Sequence, residues 1–590
     1  MSRRNLRFLI CGVLILTVSC AGGGLGGHAV PTTYAPGAAV KGSPVLPATA
    51  LAGAFSYPGT TLTSVKLVAD GSESVPGIGP VPEHIVVAGK MNERVSPVDG
   101  KTYAIGFEMR LPTSWNGRFF YQANGGVDGI VVPAYGNIWG GGPLTNALKE
   151  GFAVISSDAG HTMEASEIGG GVFGIDPQAR LDYGYNAVAQ LTPMAKSLIK
   201  TYYGKFPDKS YMVGCSNGGR HAMVATSRSP EQYDGILAVS PGFDLPKAAV
   251  AQLWGVQQLA TISDTNAKTG RPDISTSFTP DELELVSKAI VAQCDALDGV
   301  KDDMVTNFSK CQSTFDIRAH VPTCTGPRDG TCLTIGQKVI LASLHAGAKN
   351  SKGEALYTNW LWDPGISSAN WRSWKFVSSI TNRDPLAVGF IFTTPPQDPA
   401  VLNGTGNTLF DYAANWNGTG FDVDRDAPKI YATNPLYTES AMSFMVPPDL
   451  LMKKLPLTHT KLIVVHGSAD GIFSVVDTMN WYDAFRTYWG NSASDLARLF
   501  IVPGMAHCGG GPACDQFDML DALVGWVETG KAPDSVVAKA RGAGANMVNT
   551  EVPANWAPDR TRLLCSYPMV PKYDGTGSIE AASSFSCVSP

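Results

Sequence analysis

The sequence predicts an α/β fold in which a parallel sheet is interrupted by one large insertion. Apolar, strand-like runs alternate with helical patterns from Tyr103 to Gly242 and return after Lys461. Several of these runs end at a polar residue, and ligands of parallel sheets bind at the carboxyl ends of the strands. The stretch between Gly242 and Lys461 lacks the strand pattern. It therefore indicates an inserted domain.

The composition bounds the class of protein. A chain of 590 residues exceeds what one hydrophobic core usually organises. With 44% apolar residues, 16% charged residues and a formal net charge of −6, the chain is globular and lacks the basic excess of a nucleic-acid binder. We expect no nucleic-acid partner, no organic cofactor and a monomer.

The N-terminus is typical of an exported protein. Three arginines precede FLICGVLILTV, an apolar run too short to span a bilayer, so residues 1–20 read as a signal peptide. Cys20 follows this run and is a candidate for lipidation and a membrane tether. We expect a secreted, periplasmic or outer-membrane lipoprotein of a bacterium. Residues 21–50 are rich in Gly, Pro and Ala, which predicts a flexible tether.

The elements can be placed in chain order. The predicted strands are YAIGFEMRLP, GRFFYQANGG, GFAVISSDAGH, KSYMVG, YDGILAVSPG, KLIVVHGSAD and ARLFIVPGMAH. One long helix is predicted over RLDYGYNAVAQLTPMAKSLIKTYYG, and another over GGRHAMVATSRSP, which Pro230 ends. Residues 51–242 and 456–590 are therefore assigned to the sheet domain, and residues 243–455 to the insertion.

Residues 214–218, GCSNG, fit the G-x-S-x-G nucleophile elbow, with a strand before and a helix after, as the motif requires. Asp470 and His507 follow two later strands. The chain order Ser216, Asp470, His507 is that of α/β-hydrolases, so we predict an α/β-hydrolase fold with a large inserted lid. Ser216 would be the attacking oxygen, His507 the general base and then acid, and Asp470 the group that orients the imidazole.

Other interpretations of these residues stay open. A G-x-S-x-G match also arises by chance, and His507 is equally compatible with a structural role. Asp470 can be a turn residue with Asp477 as the acid. An oxyanion hole needs two backbone N–H donors. We assign one to Asn217, directly after the serine, and the other to Gly126 in the turn QANGGVDG.

The chain has eleven cysteines, of which Cys11 and Cys20 lie in the signal, so nine remain and one must stay unpaired or pair between chains. Proximity in sequence proposes three local disulfides, Cys294–Cys311, Cys324–Cys332 and Cys565–Cys587.

Three cysteines remain, namely Cys215, Cys508 and Cys514. A Cys215–Cys508 bond would link the residues next to Ser216 and His507 and hold the two within catalytic reach. The alternative is a bond between Cys508 and Cys514.

The insertion resembles a lid over the sheet. It holds six of the twelve tryptophans, including Trp374, which we predict either in the core or in the substrate pocket. The segment CDALDGVKDDMVTNFSKC places four aspartates in a loop between Cys294 and Cys311. Oxygen-rich spacing of this kind suits Ca²⁺, and a solvated acidic loop is the alternative.

Five segments, GCSNGGRH, CDALDGV, HGSAD, VPGMAHCGGGP and WNGRFF, resemble the tannase and feruloyl esterase family. The resemblance runs from about residue 80 to the end. It implies an α/β-hydrolase domain, a large lid, the disulfide at the elbow and a structural calcium ion in the lid. The implied calcium ligands are the side chains of Asp295, Asp298 and Asp302 and the carbonyl groups of Val300 and Met304.

Likeness to one member of this family further implies that Phe473 lines the acyl pocket and that Trp374 faces it from the lid. A lid segment that would grip a substrate carboxylate is shorter here, which leaves Arg383 as the candidate. The expected substrate is a small aromatic ester, either a hydroxycinnamate such as a feruloyl ester or a terephthalate monoester. Galloyl esters and a non-catalytic binding protein on a hydrolase scaffold are the alternatives.

Overall fold

A computed structural model describes residues 36–163, 170–381 and 383–590. Its centre is a sheet of nine strands, which in chain order are β1 Thr60–Val68, β2 His84–Val95, β3 Thr102–Pro112, β4 Arg118–Ala123, β5 Ala153–Ser157, β6 Lys209–Cys215, β7 Gly235–Val239, β8 Lys461–Gly467 and β9 Ala497–Val502. They lie in the order β1-β2-β3-β5-β4-β6-β7-β8-β9. The pairs from β1 to β5 are antiparallel, and those from β5 to β9 are parallel.

The parallel strands are the buried centre of the domain. Every residue of β5 and β7 is buried, as expected for parallel strands covered by helices on both faces. Ile236 packs in the core on one face of the sheet, and its neighbour Leu237 packs in the core on the other. The predicted α/β-hydrolase fold is confirmed by this sheet.

Helices flank the sheet and fill the insertion. The main ones are α1 Ala48–Ala54, α2 Ala187–Tyr203, α3 Asn217–Arg228, α4 Leu245–Ala260, α5 Pro280–Cys294, α6 Ile335–Ala346, α7 Val475–Trp489 and α8 Met519–Thr529. Short α- or π-helical segments span Pro177–Leu181, Asp182–Asn186, Phe308–Thr314, Ile317–His320, Ala369–Ser373, Trp374–Ser378, Asp384–Leu386, Ala387–Phe392, Thr408–Ala413, Val423–Asp426, Ala441–Phe444, Leu455–Thr458 and Ala493–Leu496. Four small strand pairs join Ser74–Val75 to Gly79–Pro80, Asp264–Thr265 to Pro272–Asp273, Ser535–Lys539 to Thr561–Cys565, and Val570–Tyr573 to Phe585–Val588.

The insertion between β7 and β8 is mainly helical. Its described residues add no strand to the nine-stranded sheet. α4 is its first helix, and α5 begins with a capping box between Thr279 and Glu282. We use the term lid insertion for residues 243–455.

The predicted tether is shorter than expected, because residues from 36 onward contact the sheet domain. Val45 donates its N–H to the carbonyl of Tyr202 (2.9 Å), and Gly42 forms a bridge with Trp115. Leu51 of α1 is fully buried. These partners are distant in sequence, so composition alone did not reveal them. The predicted signal peptide and Cys20 lie outside the described residues.

Among the described residues four disulfides are present, and they match the predicted pairs: Cys215–Cys508, Cys294–Cys311, Cys324–Cys332 and Cys565–Cys587. Cys514 is unpaired and buried, and burial raises the pKa of its thiol to about 12. Several disulfides are typical of an exported protein. Within the ranges given above, no helix is both long and apolar enough to cross a membrane.

Candidate active site

Ser216 stands at a sharp turn between β6 and α3. Its backbone has φ 65° and ψ −124°, a conformation that non-glycine residues rarely adopt and that is characteristic of a nucleophile elbow. The flanking glycines make the turn sterically feasible. A Cβ at Gly214 would lie 2.5 Å from the backbone of Gly218, and one at Gly218 would lie 2.3 Å from the carbonyl oxygen of Ala123.

Asp470 and His507 form a buried pair on the loops after β8 and β9. Nδ1 of His507 lies 2.7 Å from Oδ2 of Asp470. The other carboxylate oxygen accepts the N–H groups of Ile472 and Phe473 at 2.9 and 3.0 Å. Burial by itself raises the pKa of Asp470, but the charge of His507 and the hydrogen bonds from His466 and His507 outweigh this and hold the pKa well below its usual range. The carboxylate is therefore ionised and fixes the orientation of the imidazole.

Nε2 of His507 is the remaining ring nitrogen. It is buried and has no hydrogen-bond partner in the part of the chain that the structure describes. A neutral imidazole held at Nδ1 by a carboxylate presents Nε2 as a proton acceptor.

Asp477, the alternative acid, lies elsewhere. It is in the first turn of α7, where burial and the charge of Asp244 raise its pKa. The structure brings Asp470, not Asp477, to His507.

The Cys215–Cys508 disulfide connects the elbow to the histidine loop. The two Cα atoms are 6.1 Å apart, although the residues are 293 positions apart in sequence. Ser216 follows Cys215, and His507 precedes Cys508. Adjacent Cα atoms lie about 3.8 Å apart, so the bond confines Ser216 and His507 to one small region.

The predicted oxyanion residues lie beside the elbow. Asn217 is the first residue of α3, where the backbone N–H has no partner inside the helix. The chain at Gly125 passes close to the serine, because a Cβ there would lie 3.7 Å from Cβ of Ser216. Gly126 follows with φ +67°, and its carbonyl accepts the hydroxyl of Tyr183 at 3.3 Å.

Aromatic rings from both domains surround His507. The ring of Phe473 lies 5.4 Å from the imidazole, and the indole of Trp374 lies 5.1 Å from it, nearly perpendicular. Trp374 belongs to the lid insertion, and Arg383 stacks over its ring at 4.5 Å. Both carboxylate oxygens of the buried Asp384 accept from Arg383 at 2.5 Å. The three predicted substrate-binding residues thus form one wall with the histidine.

The sequence of this chain was compared with those of known families. A model described as tannase and feruloyl esterase matches residues 87–588. The chain belongs to the tannase and feruloyl esterase family. It is 37% identical to the mono(2-hydroxyethyl) terephthalate hydrolase of Piscinibacter sakaiensis, over 90% of this chain and 89% of that protein. It is 28% identical to a probable feruloyl esterase of Arthroderma benhamiae, over 81% of each chain. Like these relatives, it is a carboxylic ester hydrolase.

Solved structures of this family share the fold. Feruloyl esterase B from Aspergillus oryzae superposes with a TM-score of 0.69 at 23% identity, covering 90% of this chain and 98% of that one. A tannin acyl hydrolase from Aspergillus niger gives a TM-score of 0.63 at 18% identity, covering 92% and 95%. Because these sequence identities are low, the structural likeness supports a shared fold and nothing more specific.

The acidic loop of the lid satisfies much of its own hydrogen bonding. Asp295 accepts the N–H of Asp302 at 3.0 Å, and Asp298 accepts the hydroxyl of Thr306 at 2.7 Å. A carboxylate oxygen of Asp302 pairs with the guanidinium of Arg562.

The oxygen donors of this loop suit Ca²⁺ in kind. The N–H groups of Val300 and Met304 donate to the carboxylates of Asp298 and Asp302. The carbonyl groups of Val300 and Met304 take no part in these two bonds. Burial raises the pKa of Asp298 to about 6, and the nearby charge of Asp302 adds to the rise. In the described ranges, however, no group of three or more His, Cys, Asp and Glu side chains is arranged to hold a metal ion. The calcium site therefore stays a prediction.

A buried polar network under the oxyanion turn was missed by the sequence analysis. Asp128 accepts the side-chain amide of Asn217 at 2.8 Å and lies 2.8 Å from Nε2 of His221. Arg220 donates to Oδ1 of Asn217 and to carbonyl groups of residues 183 and 184. These bonds fix the side chain of Asn217 within the network and so hold the first turn of α3. The spacing of Asn217 and His221 on one helix face was the available signal.

The lid also supports the loops that carry Asp470 and His507, through three residues that belong to no sequence motif. Lys375 is buried and donates to the side chain of Gln252 at 3.2 Å. Gln252 donates in turn to the carbonyl of Ile472, two residues after Asp470, at 3.0 Å. Asn370 contacts the backbone of His507 at 3.4 Å. Only the packed structure identifies these contacts.

Proposed function

We propose that the protein hydrolyses esters of aromatic acids through a Ser216–His507–Asp470 triad and an acyl-enzyme intermediate. The observation that carries the proposal is the 2.7 Å contact between His507 and Asp470, on a loop that a disulfide joins to the elbow of Ser216. The ionised carboxylate, the free Nε2 and the strained serine correspond to the three roles of a serine hydrolase.

The reaction follows from these positions. As the hydroxyl oxygen of Ser216 bonds to the ester carbonyl carbon, its proton passes to Nε2 of His507. The carbonyl electron pair moves to the oxygen, which the N–H groups of Asn217 and Gly126 stabilise. When the tetrahedral intermediate collapses, the alcohol leaves with the proton from His507 and the acyl group stays on Ser216. Water then attacks the acyl carbon and gives one proton to His507, which forms a second tetrahedral intermediate. When this intermediate collapses, the bond to the oxygen of Ser216 breaks, His507 returns the proton to that oxygen, and the aromatic acid is released.

The aromatic wall supports an aromatic acyl group. Phe473 and Trp374 present two rings within 5.4 Å of the imidazole, which favours stacking on a planar acyl group. Because the buried Asp384 already neutralises Arg383, a substrate carboxylate would have to compete for that guanidinium. We therefore propose a feruloyl or other hydroxycinnamoyl ester first and mono(2-hydroxyethyl) terephthalate second. Galloyl esters are the next candidates.

Two further proposals concern the state of the protein. We propose a structural Ca²⁺ ion held by Asp295, Asp298 and Asp302 and by the carbonyl groups of Val300 and Met304. We also propose a monomer that is exported, either free or tethered through a lipidated Cys20.

The deciding experiment measures turnover of p-nitrophenyl acetate by the wild type and by Ser216→Ala. We expect the variant to lose several orders of magnitude in kcat, because a triad acts as a unit. Ser240→Ala is the matched control, because Ser240 is a buried serine close to the same loop: its hydroxyl oxygen accepts the N–H of Cys508 at 3.4 Å. This control should keep at least about a third of the activity.

The same assay separates the alternatives. A Ser216→Ala variant that retains more than about a tenth of wild-type activity would contradict the triad, and a wild type without turnover would favour a non-catalytic binding protein. A panel of methyl ferulate, methyl gallate, chlorogenic acid and mono(2-hydroxyethyl) terephthalate then ranks the substrates by kcat/KM.

A further inference from the structure

A cavity of about 340 Å³ has Cys508 in its wall. Its lining includes Val132, Tyr135, Trp139, Asn146 and Cys508. Its volume lies within the range of small-molecule pockets. None of Ser216, Asp470, His507, Trp374 and Phe473 lines it. The cavity is therefore distinct from the candidate active site, although Cys508 in its wall directly follows His507.

Two side chains of this cavity have buried donors without partners. Nε1 of Trp139 and Nδ2 of Asn146 are both buried, and neither has a hydrogen-bond partner in the described part of the chain. The amide of Asn146 is correctly oriented, because its Oδ1 accepts the N–H of Lys149 at 2.7 Å. Asn146 is only 1% exposed. Buried donors are normally satisfied, so two of them on one cavity point to an occupant that accepts hydrogen bonds.

The remaining lining favours an uncharged, planar occupant. The walls are mainly aromatic and apolar, and none of the described residues that line the cavity is charged. Ionised groups behind the lining are engaged with other protein groups. Arg110 pairs with Glu73 and Glu108 behind the ring of Tyr135. Arg541 pairs with Asp515 behind the turn at residues 140–142, and Lys149 donates to the carbonyl of Ile78. A net charge on the occupant would therefore be desolvated without a counter-charge, which is costly.

The wall of the cavity is rigid where it meets the histidine loop. A Cβ at Gly509, next to Cys508, would lie 2.5 Å from Cα of Gly141, so the turn at residues 140–142 packs directly against this loop. Trp139 has φ 58°, which is unusual for a bulky residue, and its N–H is held by the side chain of Asn137 at 2.8 Å. The backbone that carries the indole is thus held at the cavity.

We propose that this cavity is a second, non-catalytic binding site for an uncharged aromatic compound that carries acceptor oxygens. The indole N–H of Trp139 and the amide N–H of Asn146 donate to those oxygens, and the aromatic body packs against Tyr135 and Val132. Binding here does not use the candidate triad.

The test uses 4-methoxyacetophenone, which is uncharged, has two acceptor oxygens and contains no ester. Its affinity for the full chain is measured by isothermal titration calorimetry. Val132→Trp fills the cavity from a side chain that is 41% exposed, so the fold should tolerate it. Trp139→Phe removes the N–H and keeps a ring. Trp374→Phe makes the same change in the acyl pocket and is the matched control.

We expect saturable binding to the wild type, with Kd about tenfold weaker in Val132→Trp and about fivefold weaker in Trp139→Phe, as the loss of one hydrogen bond predicts. Trp374→Phe should bind within about twofold of the wild type. The proposal is overturned if the wild type shows no saturable binding, if Val132→Trp binds as tightly as the wild type, or if only Trp374→Phe weakens binding. If Trp139→Phe fails to fold, Val132→Trp decides the question.

Discussion

The two sides of the candidate active site are held in different ways. On the sheet side, Ser216, Asp470 and His507 each follow the end of a parallel strand, and a disulfide joins two of the loops. On the lid side, Trp374 begins a short π-helical segment and is positioned by side-chain packing. The sheet fixes the relative positions of the reacting groups, whereas the lid fixes the shape of the pocket. Changes on the sheet side should therefore act on kcat, and changes on the lid side on substrate affinity.

The largest effect is expected from Asp470→Asn. Without the carboxylate, the imidazole loses its correct tautomer and its stabilised cation, so kcat should fall on the order of 10⁴-fold with little change in KM. Steady-state kinetics with p-nitrophenyl acetate measures this.

Asp477→Asn is the control for that change, seven positions along the chain. The pKa of Asp477 is raised, so its carboxyl group resembles the neutral amide of asparagine. Activity should therefore stay within about twofold. An equal loss in both variants would show that Asp470 has no special role.

The next effect concerns the elbow disulfide. Replacing Cys215 and Cys508 by alanine loosens the geometry between Ser216 and His507, and a displacement of about 1 Å can cost on the order of 10²-fold in rate. We expect a folded protein in which kcat falls far more than substrate affinity.

Removal of the lid pair Cys324–Cys332 is the matched control. That disulfide closes a local loop with a sequence separation of 8, away from the strand ends, so its loss should lower the melting temperature and leave kcat nearly unchanged. If the Cys215–Cys508 double variant keeps full activity, the disulfide does not position the catalytic groups.

A smaller effect is expected on the lid side. Trp374→Ala removes a ring of the pocket wall, so KM for methyl ferulate should rise by about tenfold. The KM for p-nitrophenyl acetate, whose acyl group is only acetyl, should change little. Arg383→Gln should raise KM for mono(2-hydroxyethyl) terephthalate alone if the guanidinium binds the free carboxylate. A drop in kcat for every ester would instead place Trp374 on the catalytic side of the comparison.

The smallest effect concerns the proposed calcium ion, which lies far from the reacting atoms in sequence. Chelation should lower the melting temperature by a few degrees, because an ion that binds only the folded state stabilises it. The kcat of the folded protein should not change. Adding Ca²⁺ should restore the melting temperature, whereas adding Mg²⁺ should not. The melting temperature of Asp298→Asn should equal that of the chelated wild type, and adding the chelator should not change it. An unchanged melting temperature after thorough removal of calcium would count against the ion.

Features that depend on neighbouring residues could be predicted from the sequence. The strand–GCSNG–helix pattern located the elbow, because its glycines meet a local steric requirement at Gly214 and Gly218. The run of apolar strands gave the parallel sheet, and the chain order placed Ser216, Asp470 and His507 at its carboxyl edge. Even the Cys215–Cys508 pair followed from its position beside the two candidate catalytic residues.

Features that depend on contacts distant in sequence were decided by the tertiary structure. The choice of Asp470 over Asp477 rests on a 2.7 Å contact, since both residues follow the same strand. The segment after residue 36 likewise lacks any local pattern. In the network of Asp128, Asn217 and His221, the helix spacing of the last two residues is a local signal, but their contact with Asp128 is not. A hydrogen bond requires an alignment within a few tenths of an ångström between groups that the sequence separates widely, and only the folded core provides this alignment.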